Sequence, residues 1–206
     1  MKIISIIGPI GSGKSTFVNH VKKENIANYY YHEDVEGNKW LKEEPTLENL
    51  INCQQYIINH KKKYYDQLNL NDDVIVFEDA SFYQDLYYVN QNFEKYYPLI
   101  HELITNSYLT LIEKIYKSVD KHTIIFIDLE PEQNEKNVKK RGRDFEQHLD
   151  VNYFKNQKEK LIEILKKYEK NYELIIYKPK MEAFDYENEK LEKYYQEIFN
   201  ELGLKC

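Results

Sequence analysis

The sequence is poor in the features that mark several functional classes. Of its 206 residues two are cysteines, Cys53 and Cys206, and their separation fits neither a disulfide framework nor a metal-ligand spacing. A reducing compartment is therefore expected, with Cys53 acting as a small apolar residue. The six histidines show no metal spacing either. Net positive charge is lacking: 29 Lys and Arg stand against 35 Asp and Glu, a formal charge of -6. No nucleic-acid partner is expected, because binding a polyanionic backbone needs many phosphate-neutralising cations. Long apolar runs are missing as well. The N-terminal one covers a few residues, too short for a signal peptide or a membrane span, so a soluble, cytoplasmic protein without a membrane partner is expected. No internal repeat or disordered linker interrupts the chain, whose length suits a single domain over residues 1–206.

What the chain has begins at residue 8. Gly8-Pro9-Ile10-Gly11-Ser12-Gly13-Lys14-Ser15-Thr16 matches G-x-x-x-x-G-K-[ST]. It follows the strand-like run Ile3-Ile4-Ser5-Ile6-Ile7 and precedes a helical stretch through Val18 and Val21. Strand, Gly-rich loop and helix form the context in which backbone N–H groups at a helix N-terminus wrap phosphate oxygens. Lys14 is expected to reach the terminal phosphates and Ser15 to hold Mg2+. A nucleoside triphosphate is thus the expected ligand.

Strands and helices then alternate to the C-terminus. Tyr29-Tyr30-Tyr31-His32, Val74-Ile75-Val76-Phe77, Thr123-Ile124-Ile125-Phe126-Ile127-Asp128-Leu129 and Leu174-Ile175-Ile176-Tyr177 read as further strands, two of them ending in acidic groups, Glu33-Asp34 and Glu78-Asp79. Helices are expected from about Leu47 to Leu70, before a turn at Asn71-Asp72-Asp73, and from near Ser81, Pro98 and Pro131. Another carries Leu161, Leu165 and Tyr168, and a C-terminal one runs through Leu191, Tyr195, Ile198 and Leu202. The pattern predicts a three-layer α/β domain with a mainly parallel five-stranded sheet, whose ligands bind beyond the carboxyl ends of the strands. Many of the 20 tyrosines are expected to cover apolar surface with their hydroxyls in water.

Five motifs recur in a fixed order: Gly8-Pro9-Ile10-Gly11-Ser12-Gly13-Lys14-Ser15; Glu33-Asp34-Val35; Gln54-Gln55-Tyr56-Ile57-Ile58-Asn59-His60-Lys61; Asp79-Ala80-Ser81 with Asp85; and Arg141-Gly142-Arg143-Asp144-Phe145-Glu146. Together they resemble the deoxynucleoside kinase family, from the P-loop to about residue 170. The resemblance implies ATP-dependent transfer to the 5'-hydroxyl of a deoxynucleoside, in nucleotide salvage. Glu33 then serves as general base, Ser15 and Asp79 (or Glu78) hold Mg2+, and Gln54 pairs with the nucleobase. Lys61 and Asp85 read exocyclic groups, favouring a purine or cytosine over thymine. Arg141 and Arg143 act from a mobile lid over about 139–148, Lys139 and Lys140 serve the helix dipole, and Glu146 contacts the sugar. A homodimer through helices beside the sheet is implied too, with the Tyr-rich helix near 82–97 contributing.

Ala80 departs from the family's [DE]-R-S, whose Arg bridges the catalytic carboxylate and the reacting phosphate; low activity or compensation by a lid Arg both follow from the loss of such a preorganised charge. The segment between Glu33 and Gln54 is short, and no Tyr is assigned to the sugar 3'-hydroxyl. Two other readings remain open, a nucleoside monophosphate kinase and a degenerate nucleotide-binding P-loop protein.

Overall fold

The computed structural model describes residues 1–69, 73–179, 195–196 and 198–200. Five runs form one sheet: β1 (Lys2–Ile7), β2 (Tyr29–Tyr31), β3 (Ile75–Asp79), β4 (Lys121–Ile127) and β5 (Glu173–Tyr177). Their spatial order is β2-β3-β1-β4-β5 and every pairing is parallel. Parallel neighbours need crossovers. These include α1 (Lys14–Lys23), α2 (Leu47–Tyr65), α3 (Phe82–Val89), α4 (Pro98–Tyr116), α5 (Pro131–Arg141) and α6 (Val151–Lys167).

Local chemistry sets the helix ends. Side-chain oxygens of Thr46, Ser81 and Asp150 accept from the N–H groups of Asn49, Tyr83 and Tyr153 at 3.2, 3.2 and 2.8 Å, capping α2, α3 and α6. Proline opens α4 and α5, where its missing N–H costs nothing. Gly142 ends α5 with φ 76, behind Lys139, Lys140 and Arg141 in the last turn. The second helix stops at Tyr65 instead of near Leu70, and beyond it the Gln67 and Leu68 N–H groups bond only three residues back, to the Tyr64 and Tyr65 carbonyls at 3.2 and 3.1 Å. Of the turn expected after it, Asn71 and Asp72 lie outside the described residues, as do Leu191 and Leu202 of the C-terminal helix.

Alternation along each strand divides the core into two layers. Ile3 and Ile7 of β1, Val76 of β3, and Ile124 and Phe126 of β4 pack with α3, α4 and α6. Ile4, Ile6, Phe77, Ile125 and Ile127 meet α1 and the C-terminal residues Tyr195, Ile198 and Phe199 on the other face. Helices therefore cover both sides of the sheet.

The same alternation separates two adjacent acids. Glu78 shares the face of Val76 and is buried in the core, where it accepts hydrogen bonds from Ser5 Oγ, Tyr65 Oη and Tyr116 Oη. Asp79 shares the face of Phe77 and reaches α1. Glu78 also helps to explain why some tyrosines do not face water: Tyr31, Tyr65, Tyr83, Tyr87, Tyr108 and Tyr116 are buried. Acceptors such as Glu78 and Gln54 sit inside the core, so some of these hydroxyls keep hydrogen bonds without water. Within the Tyr-rich stretch near 82–97, Phe82 to Tyr87 are buried in α3, and the exposed large apolar residues of this region are Tyr96, Leu99 and Leu103.

Replacing Glu78 by Leu leaves three buried hydroxyls without their acceptor. Each such group costs about 1–3 kcal/mol. Glu78→Leu is therefore expected to lower the melting temperature by roughly 6 °C or more, and calorimetry showing no change would contradict this role.

Candidate active site

Because all strands run the same way, β1, β2 and β3 deliver their following loops to one edge. In open α/β sheets that edge is where ligands bind. The P-loop leaves β1 there, with left-handed backbone at Gly11 (φ 77) and Gly13 (φ 89). A Cβ at Gly11 would lie 2.7 Å from the Asn134 carbonyl oxygen, so this position has no room for a side chain. Four side-chain amides brace the loop. Gln84 and Gln157 accept from the N–H groups of Gly8 (3.2 Å) and Ile10 (2.9 Å), while Asn134 and Asn137 donate to the carbonyls of Ile10 (3.0 Å) and Gly11 (2.8 Å). The first turn of α1, whose N–H groups lack intrahelical partners, lines a cavity of about 360 Å3 with Gly13, Ser15, Thr16, Lys140 and Arg141. Lys14 Nζ donates to the Gly8 and Pro9 carbonyls at 3.0 Å each, and burial holds its pKa below the usual value.

A second cavity of about 350 Å3 adjoins this loop, and most of the predicted site residues meet in it. Lys14, Ser15, Glu33, Gln54, Asp79 and Glu146 line it, as do both lid arginines. Its remaining wall includes Trp40, Leu50, Cys53, Ile57, Tyr88 and Phe145. Ser15 Oγ donates to Asp79 Oδ2, and Asp79 Oδ1 has no hydrogen-bond partner among the described residues. A hydroxyl beside a carboxylate with a spare oxygen suits Mg2+, which takes few protein ligands and keeps several waters. No group of three or more His, Cys, Asp or Glu with metal geometry occurs among the described residues.

Glu33 follows β2, and burial, with Asp85 and Asp79 adding to it, pushes its pKa up to about 7. Desolvation disfavours a carboxylate's charged form, which tunes this group toward proton transfer near neutrality. Gln54, buried on α2, has its Oε1 held by the Tyr108 hydroxyl at 2.9 Å. At the end of α5, Arg141 pairs with Glu146, and just beyond it Arg143 contacts Glu146 at 3.6 Å and Glu36 at 3.0 Å. Lys139 pairs with Glu135 on the exposed side of α5. Two predicted residues stand apart from the cavity wall. Lys61 and Asp85 are fully buried and joined at 2.5 Å, with Lys61 also donating to the Ala80 carbonyl at 3.2 Å.

A sequence profile of the deoxynucleoside kinase family matches residues 4–203. The chain belongs to the deoxynucleoside kinase family. This kinase is also similar in fold to M. mycoides deoxyadenosine kinase in several ligand states. With the products dCMP and a flexible dCDP bound, that enzyme gives a TM-score of 0.68 at 20% identity, covering 98% of both chains. With dCTP the values are 0.66 and 20% over 98% of this chain and 99% of that one, and with dATP 0.66 and 18% over 98% of each. A search among curated protein sequences finds no match. Within the described residues of this kinase, no helix is long and apolar enough to cross a membrane.

Sequence reasoning missed the bracing amides, Tyr108 and Trp40. Gln84 stands beside Asp85, and Asn134 and Asn137 lie one helical turn apart on α5, but only tertiary packing shows what they touch. Ala80 has φ 67, an uncommon backbone for a residue with a side chain.

A raised carboxyl pKa makes the folded state bind more protons than the unfolded one. Glu33 therefore costs nothing below about pH 4.5 and costs most above pH 7, up to about 3 kcal/mol. Glu33→Gln is expected to match the parent's melting temperature at pH 4.5 and to exceed it by several degrees at pH 8. A difference that does not change with pH would contradict the assignment.

Proposed function

We propose that this kinase transfers the γ-phosphate of ATP to the 5'-hydroxyl of a deoxynucleoside, a nucleotide-salvage reaction. The observation that carries the reading is the charge layout of the shared cavity. Its Lys and Arg lining residues are Lys14, Arg141 and Arg143, all from the P-loop and lid, while Trp40, Leu50, Cys53 and Ile57 line it further along with Glu33 and Glu43. That apolar and acidic part fits an uncharged nucleoside. A monophosphate acceptor needs cations there, which disfavours the nucleoside monophosphate kinase reading.

In the proposed reaction Glu33 takes the proton of the 5'-hydroxyl as that oxygen bonds to the γ-phosphorus. The bond from phosphorus to the β,γ-bridging oxygen breaks, and ADP leaves. Lys14 and the two lid arginines neutralise the charge that builds on the transferring group, where positioning and electrostatics supply most of the catalysis. Ser15 and Asp79 are the proposed Mg2+ holders, and a bound Mg2+ supplies charge neutralisation at the phosphates. Gln54 reads the base edge, and Glu146, beside both arginines, faces the sugar. Lys61 and Asp85 support that reading from behind, since Asp85 Oδ1 has no hydrogen-bond partner among the described residues and suits an exocyclic amino group. A homodimer is proposed through the face carrying Tyr96 (69% exposed), Leu99 (75%) and Leu103 (68%). Light scattering that returns the mass of one chain would refute it.

Coupled ADP-release assays with deoxynucleosides and their monophosphates side by side test the acceptor, and turnover with monophosphates alone would overturn the reading. Glu33→Gln is expected to lower kcat by about 10²- to 10⁴-fold. The ionised carboxylate is the active form, so kcat/KM is expected to fall as pH drops through about 7, and a flat profile between pH 5.5 and 8 would count against Glu33.

A further inference from the structure

The hydrogen bond between Tyr108 and Gln54 is a contact that the reaction scheme does not use. Gln54 is 2% exposed and lines the cavity, whereas Tyr108, on α4, is 0% exposed and outside the cavity wall. The Tyr108 hydroxyl donates to Gln54 Oε1 at 2.9 Å and has no second hydrogen-bond partner among the described residues. Its ring is seated edge-on against Phe82, centroids 6.2 Å apart at 62°. We propose that Tyr108 fixes which way round the Gln54 amide points, and that this sets the class of nucleobase accepted. The proposal rests on the reading of the cavity as a nucleoside site.

A primary amide is nearly symmetric in shape, and its terminal torsion has two broad wells that exchange Oε1 for Nε2. Inside the protein the exchange is blocked. Turning the amide over would bring its N–H to the Tyr108 oxygen and leave the buried phenolic proton without an acceptor, an expensive arrangement.

The direction of the amide matters because base edges come in two complementary kinds. Adenine and cytosine present a ring-nitrogen acceptor beside an exocyclic amino donor. Guanine and thymine present a ring N–H donor beside an exocyclic oxygen. For a base seated in one place, a fixed amide makes two hydrogen bonds with one kind and two clashes of like groups with the other. A site built to pair in this way rejects the mismatched partner strongly. Tyr108 touches no substrate in this arrangement and is a positioning residue.

The test is Tyr108→Phe, which keeps the buried ring and removes the hydroxyl. kcat/KM is measured for deoxyadenosine, deoxycytidine, deoxyguanosine and thymidine in the parent, in Tyr108→Phe, in Gln54→Ala and in the double variant, with melting temperatures alongside. The parent is expected to prefer one kind, adenine with cytosine or guanine with thymine, over the other. Tyr108→Phe is expected to shrink that preference by about tenfold or more, as the amide becomes free to turn, and to leave the preference unchanged in the Gln54→Ala background. A merely structural role would lower all four values together. An unchanged ratio in Tyr108→Phe, or an equal effect with and without Gln54, would overturn this inference alone. Failure of the parent to phosphorylate any of the four would overturn the nucleoside reading as well.

Discussion

The hydrogen bond from Ser15 Oγ to the Asp79 carboxylate ties the first turn of α1 to the end of β3, and the geometry of the cavity depends on that junction. Two features of the fold bring the groups together. Strands β1 and β3 are parallel neighbours with Ile6 opposite Asp79, so the loop leaving β1 and the acid ending β3 arrive at the same level. Phe17 of α1 packs on Phe77 of β3 with ring centroids 6.3 Å apart, which seats the helix over that strand pair. Within the loop, Gly11 and Gly13 permit the left-handed turns, and the amides of Gln84, Gln157, Asn134 and Asn137 hold the backbone from three other helices. Phosphate-binding donors are effective when they need no reorganisation at the moment of reaction. A loop braced at four points meets that condition better than a loop held by its own turn hydrogen bonds.

The same strand end shows how the fold manages crowded acids. Glu33, Glu78, Asp79, Asp85 and Glu146 lie close to or beneath the cavity, and each has a different solution. Glu78 is turned into the core and surrounded by hydroxyl donors. Asp85 is matched by Lys61, and Glu146 by two arginines. Asp79 takes one hydrogen bond and keeps an oxygen spare. Burial raises the pKa of Glu33 to about 7, and it raises those of Glu78 and Asp85 too. What sets Glu33 apart from those two is that it lines the cavity. The buried Lys61–Asp85 pair is a weak source of stability, since desolvation offsets most of its attraction. Its geometric effect is larger, because Lys61 also anchors the Ala80 carbonyl at the end of β3.

The parts of this arrangement legible in the sequence are those written in local order. Gly8 to Thr16 announces its own loop, the continuous apolar runs announce a parallel sheet, and Ser81, Pro98 and Pro131 mark helix starts that the structure keeps. Choosing between Glu78 and Asp79 needed only strand alternation, once the register was known. The rest depends on pairings over long separations that leave no local trace. Tyr108 meets Gln54 from 54 residues away, and Gln157 meets Ile10 from 147. Which tyrosines would be buried was not legible for a related reason: amphipathic side chains are read as surface residues, whereas acceptors such as Glu78 and Gln54 let some of them fill the core. Lys61 opens a Lys-Lys-Lys run that looks solvated, yet helical spacing turns it inward with Gln54 while Lys62 stays in water.

The departure at Ala80 bears on where guanidinium chemistry remains in this protein. Among 29 cationic side chains the sequence has two arginines, Arg141 and Arg143, and both are in the lid beside the P-loop. Everywhere else the chain uses lysine, including the fully buried position 61. Guanidinium carries five N–H donors in a planar fork, so it can hold one anion and still present donors to another, whereas a lysine offers a single point of charge. Glu146 uses that property. Buried beside the two arginines, it engages a terminal nitrogen of Arg141 and approaches Arg143 at 3.6 Å, while the Nε of Arg143 meets Glu36 at 3.0 Å. With a methyl group at Ala80, the guanidinium groups that reach the cavity are those of this pair, and Glu146 holds both.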